Sequence, residues 1–279
     1  QLPDNAAVVL PGAGLMTRSR DSEFAFRQNS DFYYLTGIRE PDALLVLLPG
    51  RAEGESVVFC QDRDPTMEAW TGRRLGAAGV VAEHEIDQAF ENADRDEQLV
   101  ALLTGRELLY LPLDSGEAVA VAEEALHSAQ AGLRRGRPAL KGWLDISPLI
   151  HAMRLIKSDA EIALLKHAAV ISAGAHRRAM QVCRPGLSEF QLQAELEHEF
   201  VWQGASGPAY STIVGSGANA CVLHYIENSA PLCDYGLVLI DAGAEFELYA
   251  GDITRTFPVT GRFSDAQRAL YQVVLDAQV

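Results

Sequence analysis

Two aspartates, Asp241 and Asp252, are the residues whose type and spacing best suit catalytic chemistry. They fall in apolar strands predicted at residues 237–245 and 248–259, which a two-residue turn at 246–247 would join. In that hairpin Asp241 and Asp252 face each other directly, with Cβ atoms about 4.5–5.5 Å apart. No Lys or Arg lies beside Asp241 to relieve the repulsion, and carboxylate oxygens are the ligands that hard divalent cations prefer. The spacing therefore predicts a site for one or two divalent metal ions.

The same pair of aspartates also allows two interpretations without a metal. An exposed sheet edge would leave both carboxylates in water, and a β-bulge at Gly243 or Gly251 would separate them. The run Leu-Val-Leu-Ile at residues 237–240 favours a buried strand, and a buried strand favours the metal interpretation.

Two further patterns indicate other chemistry, and we set both aside. GSGANA at residues 215–220 matches the dinucleotide fingerprint, and Asp241 follows about 20 residues later. That fingerprint requires a helix beginning at its second glycine, and residues 221–231 leave no room for one. Glu195 and His198 have the Glu-x-x-His spacing of di-iron bundles, but a single copy among further glutamates indicates a charged helix face.

The elements that would position these residues fall into two halves. Residues 6–140 alternate short apolar runs with helical patterns, which favours an α/β domain. The predicted strands are residues 6–10, 43–48, 56–60 and 108–111, and the clearest helix covers residues 117–131. The basic segment at 134–138 is predicted to be a solvated turn. We predict the domain boundary between residues 147 and 148, giving domains 1–147 and 148–279.

The second half begins with two predicted helices. A capping box marks the start of each, formed by Ser158 with Glu161 and by Ser188 with Gln191. After Gly204 the pattern changes to strands, predicted at residues 210–214 and 221–226 and then in the aspartate hairpin. Helices followed by strands indicate an α+β domain. A last helix is predicted to begin after Ser264 and to continue to the end of the chain.

Composition narrows the classes of function. The chain of 279 residues has 23 Lys and Arg against 38 Asp and Glu, a formal charge of −15. Such an acidic chain is not predicted to bind nucleic acid or an anionic membrane, and its apolar runs are too short to span a bilayer. The four cysteines form no C-x-x-C pair, which predicts small buried thiols in a reducing cytoplasm.

Several long stretches resemble the aminopeptidase P (Xaa-Pro aminopeptidase) family of the creatinase and methionine aminopeptidase superfamily. They are DSEFAFRQNSDFYYLTGIREPDALLVL (21–47), EAWTGRRLG (68–76), HAMRLIKSDAEI (151–162), CRPGLSEFQL (183–192), STIVGSGANACVLHYIEN (211–228) and LVLIDAGAEFELYAGDITRTFPV (237–259). The resemblance implies a creatinase-like N-terminal α/β domain and an α+β "pita-bread" catalytic domain.

The resemblance also implies a metal centre and a reaction. By similarity, Asp241 chelates one metal ion, Asp252 bridges two, and His224 contacts the substrate and its tetrahedral intermediate. The implied cofactor is a pair of divalent ions, usually manganese, with zinc and cobalt as alternatives. The implied reaction is hydrolysis of the N-terminal Xaa-Pro bond of a peptide by a hydroxide held between the metals.

The resemblance implies roles for four more residues. Tyr210 and Thr254 match positions that support the metal ligands. Asp21 and Trp70 match residues that, in tetrameric members, reach the substrate cleft of a neighbouring subunit, which implies a homo-oligomer.

The family's metal site uses five protein ligands, and this sequence supplies only the two aspartates. We therefore expect the chain to be the first domain and roughly half of the second, with a His and two Glu downstream or on another chain, and the fragment alone to be inactive. The nearest alternative function is that of a prolidase, which cleaves Xaa-Pro dipeptides. A metal-free pita-bread binding module is another, and creatinase is disfavoured because it lacks the metal ligands.

Overall fold

The computed structural model describes residues 2–133 and 140–278. The chain divides into two compact units, Gln1–Ile156 and Lys157–Val279. The basic turn predicted at 134–138 lies outside the described residues. In the part of the chain that is described, every helix is too short or too polar to cross a lipid bilayer.

The first unit alternates strands and helices. Its strands are β1 (Ala6–Pro11), β2 (Thr17–Ser19), β3 (Ser22–Glu23), β4 (Leu44–Leu47), β5 (Ser56–Cys60), β6 (Gln88–Glu91), β7 (Leu108–Leu111) and β8 (Gly142–Asp145). Its helices are α1 (Ser30–Thr36), α2 (Pro65–Thr71), α3 (Gly76–Glu83), α4 (Arg95–Leu103), α5 (Gly116–Leu133) and α6 (Ser147–Leu155), with a 3-10 turn at Asn92–Asp94.

These strands build a mixed sheet in the order β6-β5-β4-β1-β7-β8, with β2 and β3 forming a separate hairpin. β1 is buried throughout because it lies in the interior of the sheet and packs a core on both faces. The four predicted strands of this half are confirmed as β1, β4, β5 and β7. The prediction missed β6 and β8, which are short edge strands without a fully buried side chain, so that neither shows an apolar run.

The first unit extends beyond the predicted boundary after residue 147. Helix α6 follows that point, and its Ile150 is 2% exposed within a core cluster that also contains Val8 and Phe32. Burial of Ile150 therefore ties α6 to the first unit, and the compact unit ends at Ile156.

The second unit has two long helices followed by strands, which confirms the predicted α+β arrangement. Its elements are α7 (Asp159–Val182), α8 (Glu189–Trp202), β9 (Gly207–Pro208), β10 (Ile213–Ser216), a 3-10 turn (Gly217–Cys221), β11 (Leu237–Phe246), β12 (Tyr249–Pro258) and α9 (Asp265–Gln278). Both predicted capping boxes form. The predicted strand at 221–226 is wrong, because this segment leaves the 3-10 turn as an exposed loop without a pairing partner in the described chain.

The sheet of the second unit is antiparallel, with β11 between β12 on one side and both β9 and β10 on the other. Its core consists of apolar side chains from α7, α8 and the sheet, among them Leu192, Leu196, Phe200, Val238 and Ile240. Two fully buried strand residues, Ala242 and Ala244, extend the core toward the hairpin turn.

The register of the β11–β12 hairpin corrects one prediction. The turn residues are Glu247 and Leu248, both with positive φ, and not 246–247 as predicted. Consequently Asp241 pairs with Thr254 and Asp252 pairs with Gly243, so the two aspartates do not face each other directly. The ladder is continuous from 237 to 258, which excludes a bulge as the cause. Because the shift is two residues, both aspartates stay on one face of the sheet.

Candidate metal centre

Asp241 and Asp252 come together at the hydroxyl of Tyr210. The Tyr210 oxygen lies 2.6 Å from Asp241 Oδ1 and 2.7 Å from Asp252 Oδ1. A phenol has one proton, so the hydroxyl can donate to only one of the two carboxylates at a time. The contact therefore positions both side chains and leaves most of their lone pairs without a donor from Tyr210.

The contacts with Tyr210 bring the two carboxylates close together. Among the described residues, neither Asp241 nor Asp252 forms an ion pair with a Lys, Arg or His. Burial raises the pKa of Tyr210 well above its usual value, and the hydrogen bonds and charges of the two carboxylates raise it further. The hydroxyl therefore stays protonated at neutral pH and can serve as the donor.

The glycines of the hairpin allow this face to form. A Cβ at Gly251 would lie 2.7 Å from the Ala169 nitrogen of α7, and a Cβ at Gly243 would lie 2.7 Å from the Gly251 carbonyl oxygen. Any side chain at Gly251 would push β12 away from α7. Ser172 of α7 holds β11 in turn, since its hydroxyl accepts a hydrogen bond from Ala244 N–H at 2.9 Å.

The two carboxylates fit a divalent metal as part of its ligand set. Two hard oxygen ligands lie on one side of a sheet, with unfilled lone pairs and no ion-pair partner among residues 2–133 and 140–278, which is the chemistry that divalent ions satisfy. Within residues 2–133 and 140–278, no group of three or more His, Cys, Asp or Glu side chains could hold a metal ion. The described chain therefore offers two ligands, and a complete site needs more.

His224 lies on the exposed loop between β10 and β11, in the middle of residues 217–230. Ile226 of this loop and Tyr210 line the same open pocket of about 480 Å³. The loop that carries His224 therefore contributes to the pocket that Tyr210 also lines. Thr254, an exposed residue of β12, is the direct partner of Asp241 across the ladder.

Asp21 and Trp70 lie in the first unit. Asp21 is exposed in the turn between β2 and β3, and Trp70 is 84% exposed on α2. Their assignment to a neighbouring subunit's cleft stays a prediction.

The GSGANA segment and the Glu-x-x-His pair both have structural explanations. The GSGANA segment forms the end of β10 and a 3-10 turn, and its Ser216 N–H donates to the buried carboxylate of Glu189 at 2.7 Å. Glu195 pairs with Arg178 at 2.6 Å, and the His198 ring stacks on Trp202. The cysteine prediction holds for Cys60, which is buried, but is wrong for Cys221 and Cys233, which are exposed.

Sequence reasoning missed Glu189 as a site residue, although it is fully buried and accepts hydrogen bonds from the loop that carries His224. A charged residue directly after a helix cap is usually solvated, so the sequence carried no signal of its burial. The only available hint was its place beside Ser188 in a stretch that resembles the aminopeptidase P family.

Comparison with known proteins matches both units. Residues 1–110 match the family "Aminopeptidase P, N-terminal domain", and residues 163–279 match "Metallopeptidase family M24". The Xaa-Pro aminopeptidase of Escherichia coli K12 is 46% identical over 281 residues, covering 99% of this chain and 63% of that protein. The structure of Pseudomonas aeruginosa aminopeptidase PepP superposes with a TM-score of 0.97 at 46% identity, covering 99% of this chain and 63% of that one.

A zinc-substituted Escherichia coli aminopeptidase P in complex with product superposes with a TM-score of 0.95 at 45% identity, over 99% of this chain and 63% of that one. The α/β unit and the α+β unit with its aspartate pair thus define a two-domain metallopeptidase architecture. The chain belongs to the aminopeptidase P family. It spans about 63% of the length of the Escherichia coli and Pseudomonas aeruginosa relatives.

Proposed function

We propose that this chain is part of a metallo-aminopeptidase that hydrolyses the bond between the first residue of a peptide and a proline in second position. The observation that carries the proposal is the pair Asp241 and Asp252, held on one sheet face by Tyr210. Membership of the aminopeptidase P family supports it, as does the name of the Escherichia coli relative.

Asp241 and Asp252 would hold two divalent ions together with a His and two Glu from outside this chain's described residues. When bound, such ions supply a Lewis acid for the scissile carbonyl and an activated water. Manganese is our proposal for the native metal, with zinc or cobalt able to replace it; the zinc-substituted Escherichia coli structure supports that exchange. Tyr210 and Thr254 would orient the carboxylates.

His224 would act on the substrate. An exposed imidazole on a loop beside the Tyr210 pocket can donate a hydrogen bond to the oxygen on which charge develops, and such a bond acts mainly in the transition state. The Xaa-Pro bond is a tertiary amide without N–H, so its recognition must depend on shape and on the free α-amine of the first residue.

Two further properties belong to the proposal. The free cysteines among the described residues support a cytoplasmic location, since a reducing compartment keeps thiols unpaired. The exposed Trp70 and Asp21 support a homo-oligomer in which the first unit of one subunit completes the substrate cleft of another.

The proposal is tested with the full-length protein loaded with manganese and three substrates: a Xaa-Pro tripeptide, a matched Xaa-Ala tripeptide and a Xaa-Pro dipeptide. We expect release of the first residue from the Xaa-Pro tripeptide and little or none from the other two. Preference for the dipeptide would make the protein a prolidase. If the protein retains no manganese and cleaves none of the three substrates, it would be a binding module, which would contradict the proposal.

A further inference from the structure

Glu189 is a fully buried carboxylate that joins helix α8 to the His224 loop. Its Oε1 accepts hydrogen bonds from Ser216 N–H at 2.7 Å and the Asn219 side-chain amide at 3.1 Å. Its Oε2 accepts from the Tyr225 hydroxyl at 2.8 Å and Ala230 N–H at 2.9 Å. One side chain thus contacts the start, the middle and the end of the segment 216–230.

The chemistry of these partners requires a carboxylate. Two of the four donors are backbone N–H groups, one on each oxygen, and a backbone N–H cannot accept. A glutamine amide would turn its own N–H₂ toward either Ser216 N–H or Ala230 N–H. Such a buried donor without an acceptor is costly. A glutamine therefore cannot accept hydrogen bonds from both ends of the segment as the carboxylate does.

A second buried contact fixes the end of the segment to α8. The Asn228 amide donates to Gln193 Oε1 and to the Thr212 carbonyl, each at 2.8 Å, and its oxygen accepts from Val214 N–H at 2.9 Å. Between these anchors the residues around His224 are exposed, with Leu223 at 89%. The position of His224 therefore depends on the anchors, since its immediate neighbours are not packed into the core.

We propose that Glu189 is a positioning residue for His224, holding the 216–230 segment so that the imidazole meets the substrate beside the aspartate pair. This inference rests on the proposed function, in which His224 stabilises the developing oxyanion. Glu189 itself touches no substrate. It acts through Ser216, Tyr225 and Ala230, which flank His224 in the chain.

The test is a double-mutant cycle in the full-length, manganese-loaded protein, with kcat/KM on a Xaa-Pro tripeptide as the readout. We expect Glu189→Gln to lower kcat/KM about 10- to 100-fold, as misplacement of a catalytic group does. In a His224→Ala background the same substitution should cost less than about 3-fold, because the group that it positions is already gone. The matched control is Glu195→Gln on the same helix, whose carboxylate pairs with Arg178 at the surface; it should leave kcat/KM unchanged.

Hydrogen exchange gives a readout that does not depend on activity. The amides of Ser216 and Ala230 should exchange faster in Glu189→Gln than in the wild type, while the metal content stays the same. If Glu189→Gln does not fold, Tyr225→Phe removes one of the four hydrogen bonds to Glu189. It should show the same non-additivity with His224→Ala, with a smaller loss of kcat/KM. Unchanged exchange at both amides in a folded Glu189→Gln overturns the inference.

The outcomes separate this inference from the proposed function. A wild-type protein that fails to cleave Xaa-Pro tripeptides contradicts the function, and the positioning role with it. An active wild type in which Glu189→Gln costs the same factor with and without His224 leaves the function standing and overturns the inference. A His224→Ala variant with full activity overturns the inference as well, since there is then no catalytic imidazole to position.

Discussion

Asp252 lies diagonally across the hairpin from Asp241, because Asp241 pairs directly with Thr254. The Tyr210 hydroxyl spans the offset and contacts both carboxylates. Direct opposition would bring the two Cβ atoms to about 4.5–5.5 Å. The diagonal arrangement separates the side chains further and lets a third group lie between them. In this structure that group is the Tyr210 hydroxyl, which contacts one oxygen of each carboxylate and leaves the other oxygen of each for a cation.

Tyr210→Phe tests the bridging hydroxyl. Without this hydroxyl, the two carboxylates lose the donor that orients them. We therefore expect the affinity for manganese to fall about 10- to 100-fold, which is the usual effect of removing a group that supports a metal ligand. The measurement is a metal titration followed by calorimetry on the full-length protein. Tyr235→Phe is the matched control, since Tyr235 is 88% exposed. Equal affinities in both variants would show that the hydroxyl does not support the site.

Gly251→Ala tests the close approach of β12 to α7. The added methyl group would meet the backbone of Ala168 and Ala169, and backbone cannot move aside as a flexible side chain can. We expect a loss of about 1–3 kcal/mol in the free energy of unfolding, as for other overpacked cores, measured by denaturant titration.

Gly174→Ala serves as the control for that substitution. It lies on α7, where an added Cβ would come no nearer than 3.9 Å to the Glu199 side chain. A better helix former there should stabilise the protein by up to about 1 kcal/mol. A neutral Gly251→Ala would mean that the helix and hairpin are not in contact at this position.

Cys60 gives a prediction for alkaline pH. Burial, and then the charge of Glu40, raise the pKa of this thiol from 9.0 to about 12. The unfolded chain therefore loses the proton first as pH rises, so the stability contributed by Cys60 is complete below about pH 9 and falls between about pH 9 and 12. Wild type should lose stability relative to Cys60→Ala between pH 8 and 10.5, by up to about 2 kcal/mol.

The measurement for Cys60 is the difference in free energy of unfolding between wild type and Cys60→Ala at the two pH values, under reducing conditions. Cys233→Ala, which removes an exposed thiol, should show no such change with pH. A constant difference between wild type and Cys60→Ala would contradict the burial of this thiol.

Much of the fold could be predicted from local pattern. The strand at Ser56–Cys60 was predicted at its observed bounds, and the capping boxes at Ser158 and Ser188 marked where α7 and α8 begin. These signals are local: alternation, runs of apolar residues and cap chemistry. The strand predicted at 221–226 is wrong because the apolar residues of this segment resemble a strand, whereas a long-range contact with Glu189 holds it as a loop.

The candidate site could be predicted only in part. Spacing along one hairpin was enough to bring Asp241 and Asp252 to one face, but their register depends on a turn of Glu247 and Leu248, two non-glycine residues in left-handed conformations. Turn chemistry favours Gly, Asn or Asp at such positions, so nothing in the local sequence favours a turn at these two residues. The contact of Tyr210 with both carboxylates spans 31 and 42 residues, and only the resemblance to the family suggested it.

The most direct test of the proposed metal centre is a manganese titration of Asp241→Asn beside the wild type, in full-length protein stripped of metal. We expect Xaa-Pro tripeptide cleavage by the wild type to rise with added manganese. Asp241→Asn should bind less metal and show no cleavage, while thermal unfolding shows that both proteins are folded. Asp234→Asn, in an exposed loop, should behave as wild type. Full activity of Asp241→Asn at a controlled manganese concentration would contradict the central claim.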